Sequence, residues 1–241
     1  MNHVFHDPAQ PSLRKWISLH QEYGHQSIIR LLEYDHLMTR ALHGKGLDFG
    51  GGKKSRYQHY LERAGLGDIE SINIDPKIEP TYLITENGSG GEKVPEKTYD
   101  FAISLNTLEH VEDPKPALIM LYKSLKEDGI LCISVPFMFR IHGHPDDFMR
   151  CTPSWWSNTL SRVGYREISI YPLVLGRATT AGSLTGFPKL LGPYLGRHFA
   201  FGWDYLYSLV GRLRANSARR NSSIKSISIG WFIEARKQAA A

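Results

Sequence analysis

The sequence predicts an α/β sandwich on a mostly parallel sheet, and three observations predict it. From Gly44 onward, short strand-like runs alternate with stretches whose apolar residues recur at helical spacing. An apolar run passes directly into three consecutive glycines, Gly50 to Gly52, which is how a strand turns sharply into a helix in such folds. The run Ile130 to Val135 is almost continuously apolar, as a strand buried on both faces must be.

In order, residues 1–11 read as a loose, proline-marked lead-in. Ser12 is a plausible N-cap for apolar positions Trp16, Ile17, Ile28, Leu31, Leu32 and Leu42, and Gly24 divides that stretch into two helices. Residues 1–43 are therefore expected to form an N-terminal helical cap, and residues 44–241 the main domain. Ser55 to Ala64 reads as a helix stopped by Gly65, Ile69 to Ile74 as a strand ending at Asp75-Pro76, and Tyr82 to Ile84 as a further short strand. Residues 76–81 are too few for the helical crossover between parallel neighbours. Thr85 to Lys97 is a surface loop and Phe101 to Leu105 a strand. Asp113-Pro114 opens a helix that Gly129 should end. Thr152-Pro153 opens another, closed by Gly164; Glu167 to Leu175 and Ile227 to Ala235 supply the last strands. Residues 176–223 interrupt this rhythm as an aromatic and basic insertion.

With 241 residues, 41% hydrophobic and 22% charged, the chain has an ordinary globular composition and enough length for one large core. Cys132 and Cys151 read as reduced thiols. The longest apolar run is broken by Pro136 and falls short of the ~20 residues a membrane span needs. His3, His6 and Asp7 interrupt any signal-like pattern, so a cytoplasmic location is expected. The net charge of +5 is modest and concentrates near the C-terminus. The apolar stretch and trailing arginines Arg212, Arg214, Arg219 and Arg220, within 187–220, are a candidate for contact with an anionic membrane. The same segment could equally be an acceptor-site lid or the face of a homodimer, and plain packing is the leading reading of it.

The informative stretch is Gly44 to Gly52, GKGLDFGGG. Asp48 stands two residues before Gly50, where a carboxylate repels a pyrophosphate and attracts an ammonium group. The dinucleotide fingerprint asks for a third glycine or alanine at position 55, which is Ser55. The mononucleotide loop asks for Gly-Lys-Ser/Thr, but Lys53 precedes Lys54-Ser55. An acid followed by glycines resembles the first motif of the class I S-adenosylmethionine-dependent methyltransferases.

Further features extend the resemblance. Asp75 lies at the expected end of the second strand for an acid that accepts hydrogen bonds from a ribose diol, although Asp-Pro is also a common turn starter. Leu108-Glu109-His110-Val111 is similar to the run after the fourth strand in many small-molecule methyltransferases; alternatively, Asn106 and Glu109 form a capping box. PFMFRIHGHPDDFMRCT, Pro136 to Thr152, resembles a branch associated with bacterial surface-polysaccharide and secondary-metabolite pathways. Its histidines and acids also fit a solvent loop, a structural Asp147–Arg150 pair, or metal ligation, and no metal is assigned.

The resemblance implies a Rossmann-like, seven-stranded sheet with an antiparallel last strand, and S-adenosylmethionine as cofactor. It implies methyl transfer to a small acceptor, a hydroxyl of a sugar or glycolipid precursor. Asp48, Phe49, Gly50, Gly51, Gly52, Asp75 and Asn106 would bind the cofactor. His142 is the first candidate for a general base and His110 the second, with His144, Asp147 and Arg150 as candidate acceptor contacts. Alternatives are a NAD(P)-dependent oxidoreductase, and an RNA-binding methyltransferase using the basic tract; against the latter, no base-methylation motif or RNA-binding module is recognisable.

Overall fold

The computed structural model describes residues 3–85, 90–143, 146–187, 192–212 and 217–238. His144, Arg214 and residues 188–191 of the expected insertion lie outside the described residues.

In chain order the elements are β1 (His3–Phe5), α1 (Leu13–Tyr23), α2 (Ile28–Met38), β2 (Gly46–Phe49), α3 (Gln58–Arg63), β3 (Ile69–Asn73), β4 (Tyr82–Leu83) and β5 (Tyr99–Leu105). There follow α4 (Lys115–Ser124), β6 (Leu125–Pro136), α5 (Pro153–Val163), β7 (Tyr165–Leu173), α6 (Arg177–Thr185), α7 (Gly192–Arg212), α8 (Ser217–Lys225) and β8 (Gly230–Lys237). One eight-stranded sheet has the order β1-β7-β8-β6-β5-β2-β3-β4. Every neighbouring pair is parallel except the two made by β8, which runs antiparallel between β6 and β7. The α/β class and the inverted last strand are as expected.

The eighth strand is β1, inside the expected lead-in: His3, Val4 and Phe5 pair with Ile168, Ser169 and Ile170. Three exposed residues on a sheet edge are too short a run to show alternation. β4 joins β3 in parallel across a short connection, because a 3-10 turn at Pro76–Ile78 and left-handed Glu79 (φ 52°) replace the helical crossover. Helix α3 starts three residues later than expected. The amides of Lys53 and Lys54 bond across to the carbonyls of Glu79 and Ile78, so this segment closes the glycine turn instead of propagating a helix. Helix α4 ends at Ser124 rather than near Gly129: the amides of Lys97 and Thr98 take the carbonyls of Lys123 and Ser124, and Leu125 pairs with Tyr99 as strand.

The sheet separates two cores. Phe101, Ile103, Leu105 and Phe232 pack on one face with residues of α1, α2 and α3, while Ala102, Leu131, Ile133 and Trp231 pack on the other with α4 and α5. Tyr99 joins the second face despite its even spacing from Phe101, because the β5–β6 register shifts between them. The late helices attach to the first face. Phe201 of α7 stacks on Trp16 of α1 at 4.4 Å. Asp204 accepts from the amides of Ala178 and Thr179 at 2.9 Å each, satisfying the orphan donors at the start of α6. The outer side of α7 leaves Leu195, Phe199, Trp203, Leu206 and Val210 exposed. No described helix is long and apolar enough to cross a membrane.

Candidate functional site

Strand β2 lies between β5 and β3, so the turn after it emerges at the centre of the sheet beyond the carboxyl ends of parallel strands, where open α/β sheets bind ligands. Gly50 has φ 99°, open to glycine, and a Cβ there would collide with the Thr107 side chain. A Cβ at Gly51 would enter the Asp48 carboxylate. The turn is thus bare backbone between a buried acid and the loop after β5. Phe49, buried in the second core, anchors it from beneath.

Asp48 is 1% exposed. Its Oδ2 accepts a 2.8 Å hydrogen bond from the Tyr57 hydroxyl, and Oδ1 has no hydrogen-bond partner among the described residues. Burial pushes its pKa up to about 7, with the Tyr57 bond opposing. Tyr57 gives no separate signal in the sequence, since it falls inside the stretch that reads as helix.

Asp75 is half-buried and one of its oxygens caps the 3-10 turn, accepting from the Lys77 amide at 2.9 Å. The turn-starting role of Asp-Pro is therefore present. Asn73 ties this acid to the glycine turn: its Oδ1 accepts from the Asp75 amide at 2.9 Å and its Nδ2 donates to the Gly50 carbonyl at 2.6 Å. Strand alternation gives no reason to single Asn73 out.

Asn106 departs from the capping-box alternative. It sits at φ 49°, its amide donates to the Ser134 carbonyl at 2.8 Å, and its side chain bonds Glu33 of α2 rather than a helix end. The 3-10 turn Leu108–His110 starts at Thr107 without a side-chain cap. Glu33, fully buried, also accepts from Ser134 Oγ at 2.7 Å and pairs with Arg30 at 3.1 Å. Burial raises its pKa and Arg30 opposes that rise. The network ties α2 to the ends of β5 and β6.

Beyond Asn106 the structure brings His110 and His142 together, their rings 5.2 Å apart at 79°. Between them lies Glu109, whose spacing in the sequence reads only as a cap. Its Oε1 is 3.8 Å from His110 Nε2 and 3.9 Å from His142 Nε2. The residue is 1% exposed, and neither carboxylate oxygen is hydrogen-bonded by another described residue. Burial pushes its pKa up to about 8 and holds that of His142 below the usual histidine range. Asp147 and Arg150 form the local pair that their spacing allows. Asp147 also accepts from the His142 amide at 2.9 Å, and Arg150 donates to the Arg140 carbonyl, so the two brace the loop that carries His142. Burial alone would raise the Asp147 pKa, but Arg150 and the His142 amide together outweigh it and hold it low.

A methyltransferase domain family matches residues 20–160. No curated protein gives a significant sequence match. Among solved structures, an S-adenosylmethionine-dependent methyltransferase from Archaeoglobus fulgidus is 13% identical, with a TM-score of 0.55 over 92% of this chain and 99% of that one. A chain of the complex between the Haloferax volcanii Trm112 methyltransferase activator and a methyltransferase is 12% identical, with a TM-score of 0.55 over 93% and 96%. A methyltransferase from Thermotoga maritima is 14% identical, with a TM-score of 0.52 over 93% and 94%. These likenesses give the fold, and the family match spans more than half of the sequence. A glycine turn against a buried acid, on this sheet, is thus the core of a chain that belongs to the methyltransferase domain family and has the fold of S-adenosylmethionine-dependent methyltransferases.

Proposed function

We propose that the chain methylates a hydroxyl of a small acceptor, a sugar or glycolipid precursor, at the rim formed by the glycine turn and the loops after β5 and β6. The observation that carries the site is Asp48, a buried carboxylate with one oxygen unpartnered among the described residues, beside bare glycine backbone. That donor set fits a cofactor with an ammonium end and no phosphate. When bound, S-adenosylmethionine supplies an already activated methyl group on a positively charged sulfur.

The residues then have work of alignment rather than covalent help. Asp48 orients the amino-acid end, Gly50 to Gly52 allow close main-chain approach, and Phe49 supports the turn. Asp75, held by Asn73, takes the ribose, and Asn106, fixed by Glu33, forms the adjacent wall. His142, with His110 beside it, acts on the acceptor's hydroxyl, which must shed its proton as it is methylated. Asp147 and Arg150 position the His142 loop at the acceptor side, and His144 belongs to the same run. Residues 1–43 serve as a cap over the cleft, for which the α2 network is the support. The sugar or glycolipid class rests on the resemblance of Pro136 to Thr152 to the polysaccharide-pathway branch. The apolar outer side of α7 supports contact with an acceptor's lipid portion or a membrane surface, or with a second copy.

The test is a screen of sugar and glycolipid acceptors with labelled donor. His142→Ala should lose turnover while S-adenosylhomocysteine binds as in the parent, and reduced nicotinamide cofactor should not bind. Unchanged turnover in His142→Ala would remove that residue from the mechanism.

A further inference from the structure

We infer that Glu109, His110 and His142 form a site for one transition-type divalent cation at the acceptor end of the cleft. One ligand atom from each of the three lies within 4.8 Å of the others. Three independent observations point inward to that spot.

The first is the carboxylate. A buried acid normally has a hydrogen-bond donor or a counter-charge in contact. Glu109 is 1% exposed, and no other described residue hydrogen-bonds either oxygen. The nearest cationic group of this loop, Arg150, is occupied by Asp147.

The second is the state of the two imidazoles. His110 Nδ1 lies against the Asp146 carbonyl, and His142 Nδ1 lies 3.3 Å from the Arg140 carbonyl. A carbonyl can only accept, so it calls for the proton on Nδ1 and leaves the Nε2 lone pair free; at His142 the Asp147 carboxylate, 3.4 Å from Nδ1, calls for the same proton, and an Arg150 N–H at 3.5 Å is the competing contact. Those two Nε2 atoms are the ones facing Glu109 Oε1, at 3.8 and 3.9 Å. Histidines that ligate metals are oriented in this way, with the far nitrogen donating to a carbonyl or carboxylate.

The third is size. A metal at about 2.0–2.2 Å from nitrogen and oxygen ligands holds them roughly 3–3.5 Å apart. Closing the two Glu109–histidine separations by about 0.5 Å, and the histidine–histidine separation, within 4.8 Å, by up to about 1.5 Å, reaches that range by side-chain rotation. His142 is on a part-exposed loop, so it can make that movement.

Two imidazoles and one carboxylate favour zinc, manganese, cobalt or ferrous iron over calcium or magnesium, which prefer oxygen ligands throughout. Three protein ligands also leave coordination positions open. The inference rests on the reading above that the two histidines act on the acceptor, and it says how. The acceptor's hydroxyl oxygen takes an open position on the cation, its affinity for its proton falls, and the proton leaves to solvent.

The full chain, stripped with chelator, is titrated with Zn²⁺, Mn²⁺ and Co²⁺ by calorimetry, and the Co²⁺ form is read by visible absorption. One ion per chain is expected, with Co²⁺ bands characteristic of nitrogen and oxygen ligation. Glu109→Gln and His142→Ala should each weaken binding at least tenfold, while His198→Ala, on α7 with its ring 5.0 Å from that of His20, leaves it unchanged. Thermal midpoints check folding, and His142→Ala, on the loop, serves if Glu109→Gln does not fold. Absence of stoichiometric binding, or binding that survives both site substitutions, overturns the proposal. S-adenosylhomocysteine binding by the ion-free protein tests the methyltransferase reading by itself, so the two failures are separable.

Discussion

Asp48 should make cofactor affinity and fold stability respond to pH in opposite directions. Its pKa rises from the ordinary 3.8 to about 7 because the carboxyl is buried, with the opposing bond from the Tyr57 hydroxyl the smaller effect. Between those values the unfolded chain has lost the proton while the folded chain retains it, so stability falls as pH rises through that window. At about 1.36 kcal/mol for each pKa unit, the loss is on the order of 4 kcal/mol, complete above pH 7. Asp48→Asn keeps the shape and an acceptor for Tyr57 but has no proton to lose. At pH 8 it should be more stable than the parent, and at pH 4 the two should be similar. Binding runs the other way, because an ammonium group needs the ionised carboxylate. Below about pH 7 each unit should weaken S-adenosylhomocysteine tenfold, so affinity at pH 6 should be roughly a tenth of its plateau value. Calorimetric titrations from pH 5.5 to 8.5, paired with denaturant melts, read both effects. A parent affinity that is flat across this range, or an Asp48→Asn variant that binds as tightly as the parent, would refute the reasoning.

Two substitutions away from the turn test the supporting structure. Glu33→Ala leaves Arg30 half-buried without its partner and removes the acceptor for Asn106 and Ser134, so urea melts should show a loss of about 3–5 kcal/mol. Asp204→Ala strips the amides that begin α6 of their acceptor, and the same melts should show about 1–2 kcal/mol, with S-adenosylhomocysteine affinity unaltered.

The parts of the site that lie consecutively in the chain are legible in the sequence. Asp48 with its glycines, and the buried strand after α4, announce themselves because their meaning depends on adjacent residues. The residues that carry no such signal work across long separations. Glu33 reads as a polar position on a helix, yet it is buried because Asn106 and Ser134, 73 and 101 positions away, enclose it. Glu109 fits a cap by its distance from Asn106, but left-handed backbone at Asn106 turns that side chain toward α2. His142 reaches Glu109 from a loop with no periodic pattern to fix its direction. Composition marks the chemistry of these groups, while only tertiary packing decides their neighbours.

The position of β8 carries a consequence for how the molecule is made. Residues 230–237 hold together two portions of sheet, β7 with β1 on one side and β6 with β5, β2, β3 and β4 on the other. During synthesis the earlier strands emerge with an open seam lined by Cys132, Ile133 and Ile170, all destined to be buried. The seam can be sealed only when β8 leaves the ribosome, so a ribosome stalled before residue 230 holds two unjoined portions of sheet with a sticky edge between them.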